Sequence, residues 1–198
     1  MIIAIILTIF AYLLGSLPFG YWITKKVTGK NIQDHGSGNI GSTNVRRIAG
    51  KKASILTQVL DMLKGLLPVL IAFNVHRYGF VIPPDSILFV ALAAILGHNF
   101  SLFLELKGGK GVNTSLGASV LICPIPVFIA VSIYLIVRYV FKFVSLGSLF
   151  IALSLPISFY FLYGYNHILI YLIVVGILII VQHQSNIKRL LKGEELGA

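Results

Sequence analysis

Apolar runs of roughly twenty residues alternate along the chain with short polar connections. A helix needs about 20 apolar residues to cross about 30 Å of hydrocarbon. The pattern predicts spans near 2–24, 53–74, 84–105, 146–164 and 166–183. Strict apolar/polar alternation is absent, and open strand edges do not survive in lipid, so the spans are read as helices. The stretch 112–138 is ambiguous. Pro124-Ile125-Pro126 divides it into two arms of about eleven residues, each about 16 Å of helix. It is either one broken crossing or a tight hairpin.

Charge chooses between these readings. The hairpin puts the connection 25–52, the pair Lys107 and Lys110, Arg138 with Lys142, and the tail's Lys188, Arg189 and Lys192 on one side. That side then holds 14 of the 16 basic residues. A single crossing would send Arg138, Lys142 and the tail to the other side, against the positive-inside rule. The expectation is an all-α integral membrane protein with seven transmembrane helices, N-terminus outside and C-terminus cytoplasmic. It forms one membrane-embedded domain over 1–198. The connection 25–52 has room for a short interfacial helix.

Composition agrees. The chain is 57% hydrophobic and only 11% charged, unlike a soluble domain. No Lys or Arg precedes the first apolar tract, and no small-residue cleavage site follows it, so it reads as a span rather than a secretory signal. Cys123 is the single cysteine and has no internal partner. The net charge of +10 favours anionic lipid or phosphorylated metabolites over nucleic acid, given the spans.

Three polar motifs fall on the basic side. The first runs from His35 to Arg46. Its glycines allow close backbone approach, and successive amides in such turns form an anion nest. Ser37, Gly38, Asn39, Thr43 and Asn44 add neutral groups, and Arg46 can grip phosphate through two bonds. The alternative is a flexible surface loop. The second motif is Lys107-Gly108-Gly109-Lys110-Gly111, followed by Thr114. It precedes a helix, where free amides and the helix dipole favour an anion. It is not a Walker A loop. A basic lipid anchor is the competing reading, although an anchor needs no glycine. The third is His183, Asn186 and Arg189, whose spacing shares one helical face. There a structural histidine is the alternative. Asp61 and Lys64 lie inside a span, and intramembrane charge points to function or to a self-neutralising pair. His98 with Asn99 and Ser145 are further candidates, against packing and capping respectively. No histidine is followed by aspartate five positions on, and no ligand spacing supports a metal site.

Taken together, these residues resemble the acyl-phosphate-dependent membrane glycerol-3-phosphate acyltransferases, the PlsY type. The matching stretches are Gly15 to Gly20, Gly36 to Gly41 with Thr43 to Arg46, and Asp61 with Lys64-Gly65. They continue through Gly97-His98, Lys107 to Val112, Val144 to Leu146, and His183 with Asn186-Ile187 and Arg189 to Glu194. Ser42 and Asn113 stand where alanine is common in the family, and Gln184 where arginine is usual. The resemblance implies acyl transfer from acyl phosphate to sn-glycerol 3-phosphate, giving lysophosphatidate and phosphate in a bacterial inner membrane, with the active site facing the cytoplasm. It also implies a soluble partner that forms acyl phosphate, and no cofactor.

From the chemistry of two anionic substrates, Lys107, Lys110 and the amides of Gly108, Gly109 and Gly111 are expected to hold the acceptor phosphate. Ser37, Gly38, Asn39 and Arg46 are expected at the donor phosphate or oxyanion. His183 and Asn186 are expected at the acceptor hydroxyl, with either His183 or a substrate phosphate as base. A phosphorylated-metabolite transporter and a lipid-binding scaffold are the competing classes. The bare outer connections argue against the first, and the glycines against the second.

Overall fold

The computed structural model describes residues 1–78, 82–83 and 85–197. The described residues are helical, with short 3-10 turns at Ile32–Asp34 and Leu102–Leu104. They form two compact units, Met1–Leu121 and Ile122–Ala198.

The first unit contains α1 (Ile2–Ser16), α2 (Phe19–Thr28), α3 (Ser42–Arg77), α4 (Ser86–Asn99) and α5 (Val112–Ser119). The predicted span 2–24 breaks at Leu17-Pro18, because proline has no N–H for the helical ladder. Gly50 adopts φ 84° and splits α3 into a short limb, 42–49, and a long limb, 51–77. The short limb is a helix within the connection 25–52, where the sequence left room for one. The predicted start of the third span, Pro84, lies outside the described residues.

Glycines bring these helices together. A Cβ on Gly15 would meet the carbonyl of Ala94, and one on Gly97 that of Tyr12, so α1 and α4 pack backbone to backbone. Gly65 and Gly117 do the same for α3 and α5. Small residues at helix contacts are how membrane bundles gain dispersion energy without a hydrophobic drive between helices.

The second unit contains α6 (Pro124–Phe141), α7 (Val144–Tyr163), α8 (His167–Gln182) and α9 (Gln184–Lys192). The prolines do not divide 112–138 into equal arms. Both sit in the first turn of α6, where a missing N–H costs nothing. The flanking helices therefore have eight and eighteen residues. Pro156 inside α7 cannot bond the carbonyl of Ala152, and Gly176 lets α8 approach that oxygen.

Among the described residues, five helical segments are long and apolar enough to cross a membrane: Ile2–Thr28, Ser42–Arg77, Ser86–Leu104, Pro124–Phe141 and Val144–Tyr163. Counting α8 with α9 across their 59° bend gives six. Large apolar side chains such as Ile5, Ile9, Phe128, Ile136 and Phe161 are exposed, as lipid-facing surfaces require.

Candidate functional site

The first motif forms a loop built around one side chain. Asn44, 2% exposed, accepts the Ser37 N–H at 3.0 Å through Oδ1. Its Nδ2 donates to the carbonyls of Asn39 (2.9 Å), His35 (3.0 Å) and Ile32 (3.4 Å). The amide expected to contact substrate is thus committed within the loop. Gly36 and Gly38 both have positive φ, and a Cβ on Gly36 would strike Asn44 Oδ1. Asn39 Oδ1 accepts the Gly41 N–H at 2.9 Å. Below the loop, Ile32, Ile40, Val45 and Ala53 form a small apolar nucleus. Ser37 and Thr43 stay half-buried and Arg46 exposed at its rim.

The second motif departs from expectation in a specific way. The Gly108 N–H bonds the carbonyl of Asn99 at 3.1 Å, and the Gly109 N–H that of His98 at 2.9 Å. These carbonyls end α4 and lack intrahelical donors, so they claim the two glycine amides. The expectation that those amides hold phosphate is therefore corrected. Gly111 at φ 78° is the N-cap of α5. The first-turn amides of Val112, Asn113 and Thr114 lie outside the helix's own ladder. Glu105 and Leu106 hold left-handed backbone just before Lys107. That conformation is costly for such residues and keeps the turn tight. Lys107 is 76% exposed and 3.8 Å from Glu105. Lys110 is half-buried.

Around this loop several buried polar atoms have no hydrogen-bond partner among the described residues: both side-chain heteroatoms of Asn99, Thr114 Oγ1, Ser115 Oγ and His98 Nδ1, which faces Asp61 at 3.7 Å. Asn99 lies against Gly111, where a Cβ would stand 2.5 Å from its Oδ1. Unpaired buried polar atoms are rare and call for a ligand or water.

The structure brings the first two motifs together. Gln33 Nε2 donates to the Lys107 carbonyl, and Asn113 Nδ2 to Ser42 Oγ, each at 3.4 Å. A cavity of about 190 Å³ lined by Tyr21, Gln33, Phe103, Leu104, Glu105 and Lys107 lies at this junction. Asp61, Lys64 and His98 are buried in the same unit.

The third motif belongs to the second unit. His183 is buried at the α8–α9 bend, with Nδ1 2.8 Å from the carbonyl of Ile179. A carbonyl only accepts, so Nδ1 carries a proton. Asn186 Nδ2 donates to Glu195 Oε1 at 2.6 Å, and Arg189 Nε to Oε2 at 2.9 Å. The Glu195 side chain is 4% exposed. Burial pushes its pKa up, but the hydrogen bonds from Asn186 and Arg189 and the Arg189 charge outweigh this and hold it below the ordinary glutamate value. Sequence reasoning missed Glu195. Its signal was an acidic residue, one of six in the chain, beside a basic motif. Gln184 is exposed, so the arginine usual in the family would add a surface charge here. No cluster of metal-ligating residues occurs among the described residues.

Comparison with known proteins is consistent along the whole chain. Residues 5–193 match the family described as glycerol-3-phosphate acyltransferase. A glycerol-3-phosphate acyltransferase of Clostridium acetobutylicum is 40% identical, covering 98% of this chain and 100% of the relative. One from Aquifex aeolicus is 42% identical, covering 97% of each. The crystal structure of PlsY, an integral membrane glycerol 3-phosphate acyltransferase, in its glycerol 3-phosphate form superposes with a TM-score of 0.90. That protein is 40% identical, with 98% of this chain and 95% of that one covered. Its lysophosphatidic acid form gives a TM-score of 0.86 at 39% identity, covering 98% and 94%. With sequence and fold agreeing from end to end, the chain belongs to the glycerol-3-phosphate acyltransferase family of PlsY-type integral membrane proteins.

Proposed function

We propose that this protein transfers a fatty acyl group from acyl phosphate to sn-glycerol 3-phosphate, giving 1-acyl-sn-glycerol 3-phosphate (lysophosphatidate) and phosphate. The reaction takes place at the cytoplasmic face of a bacterial inner membrane and is the first acylation in phospholipid synthesis. The whole chain acts as one catalytic domain, with seven membrane-embedded helices counting α5, the N-terminus outside and the C-terminus cytoplasmic. Family membership supports the acyltransferase activity and its acceptor. A soluble enzyme that forms acyl phosphate supplies the donor.

One observation carries the acceptor assignment. Unpartnered polar atoms of Asn99, Thr114 and Ser115 cluster on the residues flanking Lys107–Gly111. Amide donors at the start of α5 and the cations of Lys107 and Lys110 complete an environment suited to a phosphate with a polyol attached. The neighbouring loop, with Ser37, Gly38, Asn39, Thr43 and Arg46, takes the donor phosphate and the developing oxyanion. His183 and Asn186 act on the acceptor hydroxyl. Arg189 supports them through Glu195, and the buried Ser145 hydroxyl is a further ligand contact.

The chemistry is a direct displacement. The acceptor hydroxyl oxygen bonds to the acyl carbonyl carbon. The carbon–oxygen bond to phosphate breaks, and phosphate leaves with the electron pair. Holding the hydroxyl about 3–3.5 Å from the carbonyl supplies much of the rate, because acyl phosphate is already activated. A phosphate oxygen of the substrate takes the hydroxyl proton. A second reading makes His183 the base, since its Nδ1 lies against the Ile179 carbonyl and the proton would be taken at the other ring nitrogen.

The test uses purified protein in detergent with labelled glycerol 3-phosphate. Lysophosphatidate is expected with acyl phosphate and not with an acyl thioester, and the reverse pattern refutes the donor. Lys110→Ala is expected to raise the acceptor KM about tenfold or more, as loss of a charged contact does. An unchanged KM refutes the acceptor loop. Full turnover by His183→Ala leaves the substrate phosphate as the base.

A further inference from the structure

Next to the second motif the first unit buries an ion pair for which the proposed reaction has no use. Asp61 and Lys64 are 3% and 2% exposed. Lys64 Nζ lies 3.0 Å from Asp61 Oδ1 and donates to the carbonyl of Leu17 at 2.8 Å. That carbonyl precedes Pro18, at the break between α1 and α2, so the ammonium caps the interruption in the first span. From the opposite direction, His98 Nδ1 stands 3.7 Å from the same Asp61 oxygen. The far edge of the imidazole rests on Gly109, where a Cβ would overlap Nε2. The His98 carbonyl also accepts the Gly109 N–H at 2.9 Å. A buried path therefore runs from the break in the first span, through Lys64, Asp61 and His98, to the middle of the Gly-rich loop.

Stability does not account for this path. Replacing a buried ion pair by apolar side chains of similar volume is often neutral or stabilising. What apolar packing lacks is direction. An ion pair with a fixed third partner holds its neighbours at one distance.

We infer that Asp61, Lys64 and His98 form a positioning device that sets the height of Gly109 against the break in the first span, and so tunes affinity for the acceptor phosphate. The inference rests on the reading of Lys107–Gly111 as the acceptor loop. None of the three residues touches substrate. Their effect passes through Gly109 to Lys110 and the first turn of α5.

The experiment compares the full-length enzyme with Asp61→Asn/Lys64→Met, which removes both charges together, and with His98→Ala. It measures kcat, the KM of each substrate and the melting temperature. Both variants are expected to raise the KM for glycerol 3-phosphate about tenfold, leaving kcat and the acyl-phosphate KM within about threefold and melting nearly unchanged. A wild-type acceptor KM in the double variant overturns the inference. So does a parallel rise in both KM values that tracks a fall in melting temperature, which marks a merely structural pair. If the double variant fails to fold, Gly109→Ala decides. Alone it collides with the ring and is expected to weaken acceptor binding, and adding His98→Ala is expected to restore part of it. Absence of that compensation overturns the coupling. A Lys110→Ala enzyme run in parallel separates the two levels. If its acceptor KM rises while the cluster variants behave as wild type, only the positioning role fails. If it does not rise, the loop reading falls and takes this inference with it.

Discussion

Removing the side chain of Asn44 tests whether the first motif is a built loop or a flexible one. The amide makes four contacts, one from Oδ1 and three from Nδ2. Two amide hydrogens serve three carbonyls, so about three full hydrogen bonds are at stake. At about 1 kcal/mol each, Asn44→Ala costs the ordered loop about 3 kcal/mol, more if the Ser37 N–H is left buried without a partner. Converted at about 1.4 kcal/mol per tenfold, that is a loss of up to about 150-fold in kcat/KM, if the ordered loop is the competent state. Asn44→Asp makes the sharper test. It keeps the shape and the acceptor for Ser37 but sets a carboxylate oxygen against three carbonyl oxygens. It is expected to be at least as damaging as alanine, although it is the closer isostere. Steady-state acylation of labelled glycerol 3-phosphate gives the rates, and hydrogen exchange over 32–41 reports loop order. An Asn44→Asp enzyme with wild-type kinetics and unchanged exchange would refute the reasoning.

Two further outcomes follow from packing and charge. Gly65→Ala directs a methyl group at the carbonyl of Thr114 in the first turn of α5. Such overpacking costs about 1–3 kcal/mol, so a lower melting temperature together with a raised acceptor KM is expected, and an unchanged melting curve contradicts the close approach. For Glu195, the folded pKa lies below the unfolded one, so the carboxylate's contacts stabilise the docked tail above the unfolded value and are lost as pH falls through the lowered folded value. Limited proteolysis near Gly193 should therefore speed up in acid, and Glu195→Gln should flatten that dependence. A tail equally resistant at both ends of the range goes against the docking.

The spans were legible because lipid imposes one requirement everywhere: apolar surface along a helix about 20 residues long. Charge asymmetry, likewise a bulk property, guided the topology. The i,i+3 spacing of Asp61 and Lys64 was readable too, as neighbours on one helix. What sequence could not reveal was which carbonyl each loop donor would meet. Gly108 and Gly109 look like phosphate-binding amides, yet the end of α4 sits beside them and takes both. Asn44 looks like a ligand donor, yet its neighbours 5, 9 and 12 residues back absorb its hydrogens. Glu195 was invisible because its partners gather only when the tail folds back on α9. These cases share one cause. A polar group in a membrane protein is claimed first by the backbone groups that lipid leaves unsatisfied, and only the remainder is available for chemistry. The glycines of the second motif therefore serve less as donors than as gaps: they let the loop close on His98 and Asn99 beside the first turn of α5, and the proposed acceptor site is what that closure leaves unsatisfied.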